Sequence, residues 1–316
     1  CIFRNVSIKG LHEGNHDAII NLVVQNCLFT ITNINNLSHV KSLHFIVENS
    51  TFKKFSLKIT SCFFKIKVRN SKFFSSGQIE NVTLNVFEIE RQPNNPRGYI
   101  QRNAIIFENT SINSLQTNSI FLLLHIENFH LVIEGCTFTK TCKVLGVPGI
   151  LLSAMHDTYL GIMLNITLKD TLISYFANTA AGGAVEIFIP KHTTPAIFVK
   201  INILNVTFKE VIIEKDKNEK DLNSIIAKRG GAICISSAKN NFLKGEGVYL
   251  NILNSKFINC SASQKGGSLY FGENILRTDL RNCFISSAIV SYFSGQGYFI
   301  YSKSTLYIEN LVLESS

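Results

Sequence analysis

The chain has 316 residues, of which 46% are hydrophobic, and a formal net charge of +9 at pH 7. This length and apolar content are enough to bury a sizeable core. The chain is rich in Ile, Val, Phe, Thr and Asn and lacks helical periodicity, so a helical protein is excluded and an all-β fold is predicted. The most apolar stretch, residues 120–133, is interrupted by His125, Glu127 and His130 and is too short to span a membrane.

A six-residue phrase recurs from the beginning of the chain to its end. It consists of an apolar residue, any residue, Asn (or Asp, Ser or Gly), a small residue or Cys, any residue, and Phe, Leu or Ile. Copies begin at Val24, Val47, Val68, Phe107, Ile133, Ile203, Ile252, Leu280 and Ile308. The third residue marks each copy, and the predicted markers include Asn26, Asn49, Asn70, Asn109, Gly135, Asn165, Asn254, Asn282 and Asn310.

The spacing of these markers predicts the architecture. Most lie about 21–30 residues apart, and a self-similar period in the twenties is typical of a solenoid. Two short strands flank each marker and leave no room for a helix, whereas Asn tolerates the left-handed conformation that a sharp bend requires. We therefore expect a single parallel β-helix of about twelve coils, roughly 60 Å long at ~4.8 Å per coil, with the apolar residues of each phrase stacked inside.

A second phrase enters from about residue 180. Gly182-Gly183, Gly230-Gly231 and Gly266-Gly267 each open an apolar strand, and Gln296-Gly297 is a weaker copy. These glycines are expected to form a turn with positive φ or close backbone approach. Four cysteines follow a marker directly and are predicted to be small inward-facing fillers: Cys27, Cys62, Cys136 and Cys283.

One stretch carries a family resemblance. Residues 255–262, Ser-Lys-Phe-Ile-Asn-Cys-Ser-Ala, followed by Gly266-Gly267, resemble the repeats of polymorphic outer-membrane adhesins and, more broadly, pectin-lyase-like β-helices. The coil phrase extends over nearly the whole chain, but Cys260 stands where the adhesin repeat would have Asn. The resemblance implies a right-handed parallel β-helix, a fold that hosts enzymes, adhesins and structural fibres alike.

The domain organisation follows from the repeats. Residues 1–316 are predicted to form one β-helix domain, and because Cys1 begins within a repeat we expect a fragment that neighbouring segments of a longer chain continue. Two segments do not fit the coil, the proline-broken residues 91–98 and the charged residues 214–229. Each is predicted to be an inserted loop, which either helps to form a binding groove or is simply solvated.

The chain offers few groups for catalysis. Glycoside hydrolysis needs paired carboxylates, and none of the six aspartates lies in a phrase typical of pectin hydrolases. The remaining catalytic candidates are Glu108, His130, Glu134 and Glu186. Glu108 and Glu134 both precede a marker and are expected to stack outward, at a position that also holds Gln25 and Arg69 and that equally suits plain surface. No metal site and no cofactor is predicted.

The most specific surface feature is basic. Between residues 53 and 72 the chain has seven cations and no acid. The predicted polyanion-binding residues are Lys53, Lys65, Lys67, Arg69 and Lys72. Lys65, Lys67 and Arg69 alternate with apolar residues and should line the outer face of one strand, where they suit a sulfated or uronic polysaccharide, or merely keep the surface soluble. A nucleic-acid partner is not expected, because no recognised binding fold accompanies the charge.

The cysteines and the glycosylation sequons give information about the cellular location of the protein. Cys234 and Cys260 lie about one coil apart and are candidates for a disulfide bond between neighbouring coils. Glycosylation sequons begin at Asn5, Asn36, Asn49, Asn81, Asn109, Asn165, Asn205 and Asn259. With the repeats, these features favour an extracellular or cell-surface location. The expected function is a non-catalytic structural or adhesion module that binds acidic polysaccharide or cell-surface glycan, and the alternative is a polysaccharide lyase or glycoside hydrolase.

Overall fold

The protein is built from parallel β-strands, which confirms the predicted all-β class. The computed structural model describes residues 1–3, 6–9, 19–30, 32–37, 42–60, 63–75, 87–90, 103–114, 120–126, 128–140, 150–154, 162–178, 183–189, 197–213, 230–237, 247–262, 266–272, 275–286, 289–290, 299–300 and 305–314. The two predicted loops, 91–98 and 214–229, lie outside these residues. Within them, no helix has the length and hydropathy to cross a membrane.

The described residues form thirty-five strands, numbered in chain order, which pair into four sheets. Sheet A has 11 strands, and each pairs in parallel with the next. They are β1 (Ile2–Phe3), β4 (Leu28–Phe29), β7 (Thr51–Phe52), β10 (Lys72–Ser75), β13 (Ser111–Ser114), β16 (Thr137–Lys140), β19 (Leu172–Ser174), β23 (Thr207–Lys209), β27 (Lys256–Ile258), β31 (Phe284–Ser286) and β35 (Val312–Glu314).

Sheet B has 10 strands in the same parallel arrangement. They are β2 (Val6–Lys9), β5 (Thr32–Leu37), β8 (Phe55–Thr60), β11 (Phe87–Glu90), β14 (Phe121–Ile126), β17 (Ile150–Ala154), β21 (Val185–Ile189), β25 (Ile233–Ser237), β29 (Leu269–Phe271) and β33 (Phe299–Ile300).

Sheet C also has 10 strands and carries most of the surface discussed below. They are β3 (Ile19–Gln25), β6 (Ser42–Glu48), β9 (Phe63–Arg69), β12 (Asn103–Glu108), β15 (Asn128–Glu134), β18 (Ile162–Lys169), β22 (Ile197–Leu204), β26 (Gly247–Leu253), β30 (Arg277–Arg281) and β34 (Thr305–Glu309).

Sheet D is short and belongs to the later part of the chain. Its four strands are β20 (Ala177–Asn178), β24 (Ile212–Ile213), β28 (Ser261–Ala262) and β32 (Ile289–Val290). Up to β18, consecutive described strands belong to sheets A, B and C in turn. From β19 onward they belong to sheets A, D, B and C in turn. We call one such passage a rung. The stacking of rungs into parallel sheets is consistent with a parallel β-helix.

The chain turns from sheet C to sheet A at residues with positive φ, the conformation that Asn and Gly adopt most readily. These corner residues are Asn26, Asn49, Asn70, Asn109, Gly135, Asp170, Asn205, Asn254, Asn282 and Asn310, with φ between 47° and 63°. The predicted marker Asn165 is wrong, because Asn165 lies within β18 and the corner falls at Asp170. Asp also tolerates the left-handed conformation, so the phrase from Leu168 fits the corner equally well.

A residue with a small polar side chain follows most of these corners, and this side chain forms hydrogen bonds with nearby backbone groups. The buried Ser71 hydroxyl donates to the Arg69 carbonyl at 2.7 Å and accepts from the Ser50 amide of the preceding rung at 3.1 Å. The Cys136 thiol likewise donates to the Glu134 carbonyl at 3.2 Å. The cysteines at this position therefore do more than fill space, since Cys136 adds a second hydrogen bond to a carbonyl that already accepts from the Asn109 amide.

Aromatic and aliphatic side chains stack along the interior. The rings of Phe29, Phe52 and Phe73 lie parallel, with centroids 4.8 and 4.9 Å apart, and Phe208 stacks on Phe257 at 5.1 Å. The core is continuous from rung to rung. Each such ring contributes about 1.5–3 kcal/mol by leaving water, so the stacks are a principal source of stability.

Candidate ligand-binding face

The outer face of sheet C is set by strict alternation. In β9 the side chains of Phe64, Ile66 and Val68 are buried, while Lys65 is exposed and Lys67 is half-buried. Successive side chains of a strand point to opposite faces, so Lys65, Lys67 and Arg69 share the outer face. The predicted placement of these three cations is thus observed.

Register across sheet C aligns outward residues into rows that run along the stack. The first row passes through Lys65 of β9 and holds ten positions: Asn21, His44, Lys65, Ala104, His130, Asn165, Lys200, Tyr249, Arg277 and Thr305. At ~4.8 Å per strand it extends roughly 43 Å. The row contains no carboxylate and several groups that carry or accept a positive charge, so it suits an extended anion.

A parallel row through Arg69 carries charges of both signs. Its residues are Gln25, Glu48, Arg69, Glu108, Glu134, Lys169, Leu204, Leu253, Arg281 and Glu309. Glu108 forms an ion pair with Arg69, and Glu134 forms one with Lys169, with 2.6 Å between Nζ and Oε1. The hydrogen bond that Lys169 donates to the Glu134 carboxylate raises the pKa of Lys169. Glu108 and Glu134 therefore each have their own cation, which is the arrangement of a surface ion-pair ladder.

The predicted polyanion-binding residues divide into three groups. Lys65 and Lys67 form no ion pair with any residue of the described part of the chain. Arg69 is already paired with Glu108. Lys53 and Lys72 are exposed but lie on the other side of the corners at Asn49 and Asn70, Lys72 within sheet A and Lys53 directly after β7. Of these five residues, Lys65 and Lys67 thus combine outward placement on sheet C with the lack of an ion pair among the described residues.

A groove of about 400 Å³ opens on the same face, farther along the first row. Its outward-facing lining is His130, Met163, Asn165, Phe198, Lys200 and Tyr249. Met163 and Phe198 are 47% and 45% exposed. Sequence reasoning missed Phe198, Lys200 and Tyr249, although alternation in residues 198–202 could have placed Phe198 and Lys200 on one face.

The catalytic candidates do not converge. His130 and Glu134 lie four residues apart on β15, which separates them by roughly 13 Å along the strand. Glu108 and Glu134 are register partners, as expected from their positions before the corners. Glu186 lies on sheet B, opposite Cys234 and next to Leu151. Burial raises the pKa of the Glu186 carboxyl to about 7. Among described residues, no group of three His, Cys, Asp or Glu side chains could hold a metal ion.

The buried cysteines are poor nucleophiles. Burial raises the pKa of Cys136 to about 11 and that of Cys260 to about 12, so both stay protonated at neutral pH. Cys260 lies in the main core, whereas Cys234 packs with Tyr270 in a separate cluster. Both are thiols in the structure. The disulfide between them stays a prediction, and the separate placement of the two residues argues against it.

The sequons fall into two structural classes. Asn49, Asn109, Asn205 and Asn259 are positive-φ corner residues with exposed side chains. Asn165 is exposed in the first row of sheet C, within the groove. Asn5, Asn81 and the side chain of Asn36 lie outside the described residues. No protein-family model, no curated protein and no solved structure matches the chain.

Proposed function

We propose that the chain is a non-catalytic structural or adhesion module of the cell surface or extracellular space that binds acidic polysaccharide along the outer face of sheet C. The single observation that carries this proposal is the pair Lys65 and Lys67, two outward cations without an ion pair among the described residues. A linear polyanion gains most from charges that protein carboxylates have not already neutralised.

The proposed architecture is a right-handed parallel β-helix of about twelve coils, of the pectin-lyase-like kind. Its support is the return of the chain to the same sheet at every third or fourth strand. The resemblance of residues 255–267 to adhesin repeats points the same way. A rigid stack with strands ~4.8 Å apart presents equivalent side chains at regular intervals, which suits a partner that is itself a repeating chain.

Retention on a sulfated-glycan column tests the ligand class. Replacing Lys65 and Lys67 with Ser should lower the salt concentration needed for elution, because two cations without an ion pair among the described residues are removed from the outer face of sheet C. Lys72→Ser/Lys256→Ser removes the same charge from exposed positions of sheet A and serves as the control, since neither lysine has an ion pair among the described residues. Arg69→Ser should have a smaller effect, since Arg69 is paired with Glu108.

The comparison between the two double variants decides the proposal. If the sheet C and sheet A variants elute at the same salt concentration, then only net charge matters and the binding face is rejected. If neither variant differs from the wild type, polyanion binding through these lysines is rejected as well.

A lyase or glycoside hydrolase is the second candidate function, and the pKa of Glu186 is the observation that favours it. A carboxyl with a pKa of about 7 can act as a general acid at neutral pH. Its register neighbours Leu151 and Cys234, however, supply no second carboxylate. A depolymerisation assay on neutral, uronic and sulfated polysaccharides, with and without calcium, separates the two. Product release that Glu186→Gln abolishes would favour the enzyme.

A further inference from the structure

The groove on sheet C surrounds a sequon. Asn165 begins the triplet Asn165-Ile166-Thr167 and is exposed at the middle of β18. Its register partners in the first row are His130 on β15 and Lys200 on β22. Ile166 is buried and Thr167 is half-buried, so the strand presents the Asn165 amide to the groove.

The groove around this amide is unusually apolar for an exposed surface. Met163 and Phe198 are register partners on one side of it, and Tyr249, 37% exposed, lies beyond Lys200 on the other. Exposed apolar side chains that line a concave surface generally have a partner. Sugar rings present a face of C–H groups that packs against such side chains, and their hydroxyl groups bond to polar neighbours such as Lys200.

The Asn165 amide differs from that of a corner sequon. At the corner, Asn205 donates from Nδ2 to Asp170 Oδ1 at 2.7 Å, so this amide is engaged in the corner ladder. Asn165 makes no hydrogen bond to any residue that the structure describes. Its Nδ2 is therefore free to carry a substituent, and the space next to it is already shaped as a groove.

We propose that Asn165 carries an N-linked glycan whose first sugar residues lie in this groove against Phe198 and Tyr249. The glycan comes from an oligosaccharyl diphospholipid. Asn165 Nδ2 forms a bond to the anomeric carbon, the bond from that carbon to the diphosphate oxygen breaks, the diphospholipid leaves, and the amide loses one proton to a base.

The glycan has a consequence for the face as a whole. It occupies the first row between His130 and Lys200, so it separates the part of the row that contains His44 and Lys65 from the part that contains Arg277. The inference rests on the extracellular location in the proposed function, because the donor is available only to secreted chains. It does not depend on polyanion binding.

Glycan release from the native protein tests the inference. The full chain is expressed in glycosylating secretory cells, and mass spectrometry of glycopeptides measures occupancy at Asn165. An amidase that cleaves the bond at Nδ2 should release this glycan at least about tenfold more slowly from the native protein than from the denatured protein, since tenfold corresponds to about 1.4 kcal/mol of protection.

Three variants complete the test. Phe198→Ala and, independently, Tyr249→Ala keep the sequon and should speed native release. Thr167→Ser preserves the sequon and should keep both occupancy and slow release. An unoccupied Asn165 in the wild type, or native release as fast as from the denatured chain, would overturn the inference. Slow release combined with unchanged column retention of Lys65→Ser/Lys67→Ser would leave it standing and reject polyanion binding alone.

Discussion

The rungs before and after β19 connect their sheets through different kinds of corner. Earlier rungs, where described, pass through three sheets and turn at Asn, Gly or Asp corners between sheets C and A. Later rungs add sheet D and a second positive-φ corner at Tyr175, Glu210 and Asn259. They then reach sheet B through glycine segments, of which the structure describes Gly183, residues 230–231 and residues 266–267.

The difference shows which corners tolerate side chains. Between sheets C and A the corner side chains stack outward, as where Asn282 donates to Asn254 at 3.1 Å. Between sheets D and B the backbones themselves are in contact, because a Cβ on Gly231 would lie 1.9 Å from the Gly267 carbonyl oxygen. The first kind of corner accepts several residue types, and the second requires glycine.

The largest expected effect is at the backbone contact. Gly231→Ala should destabilise the protein by more than about 4 kcal/mol or prevent folding, because the contacting atoms are backbone oxygens that cannot rotate away. Gly135→Asn is the matched control, since Gly135 has φ 63° and neighbouring corners carry Asn. Denaturant unfolding of both variants measures the difference. A mild loss for Gly231→Ala would show that the later rungs can separate.

Glu186 should make the stability of the later rungs depend on pH. Its pKa is about 7 in the folded protein, against an ordinary value of 4.5, so the folded chain holds the proton more tightly. Stability is therefore full below about pH 4.5 and falls by up to about 3 kcal/mol as pH rises to about 7. Unfolding between pH 4 and 8 should show this decline in the wild type. The decline should be absent in Glu186→Gln; if it persists there, another group is responsible.

The buried serine hydroxyls that follow the corners should contribute equally to the stability of the rungs before and after β19. Ser71→Ala and Ser255→Ala should each cost about 1–3 kcal/mol, because each leaves a backbone N–H of the preceding rung without its acceptor. Ser71→Cys should cost less, since Cys136 donates to a carbonyl from the equivalent position. Denaturant midpoints measure all three. A clear inequality between the two alanine variants would mean that the corner is not common to both regions.

The smallest expected effect is at the second corner. Tyr175 has φ 62°, a conformation that costs a residue with a side chain about 1–2 kcal/mol and that Asn tolerates better. Tyr175→Asn should therefore stabilise the protein by about 1 kcal/mol. This gain is reduced by the loss of the cation–π contact, in which Lys209 Nζ lies 5.9 Å from the centroid of the Tyr175 ring. Thermal unfolding measures the change. Destabilisation would show that the ring contact outweighs the relief of backbone strain.

The sequence predicts the features that repeat within one strand or one turn. Alternation in residues 64–69 correctly placed Lys65, Lys67 and Arg69 outward. The recurring phrase predicted the parallel all-β class. The equal distance of Glu108 and Glu134 from a corner predicted that the two residues are register partners on neighbouring strands. Such features depend on neighbours in the chain, which a single sequence contains.

Features that depend on contacts between rungs were missed. The second corner at Tyr175 and Glu210 uses residue types that do not favour positive φ, so no local signal marks it. The groove needs Met163, Phe198 and Tyr249 to meet, although 86 residues separate the first from the last (249 − 163). The compensation of Arg69 by Glu108 was missed for the same reason, because 39 residues separate the two.

The central claim is that sheet C binds a polyanion through Lys65 and Lys67, and the salt dependence of binding tests it most directly. Affinity for a defined sulfated oligosaccharide is measured over a series of salt concentrations for the wild type and for Lys65→Ser/Lys67→Ser. The slope of log affinity against log salt should become shallower by up to about two, one for each lysine that displaces a counterion. Identical slopes would contradict the claim, because the lysines would then lie outside the bound site.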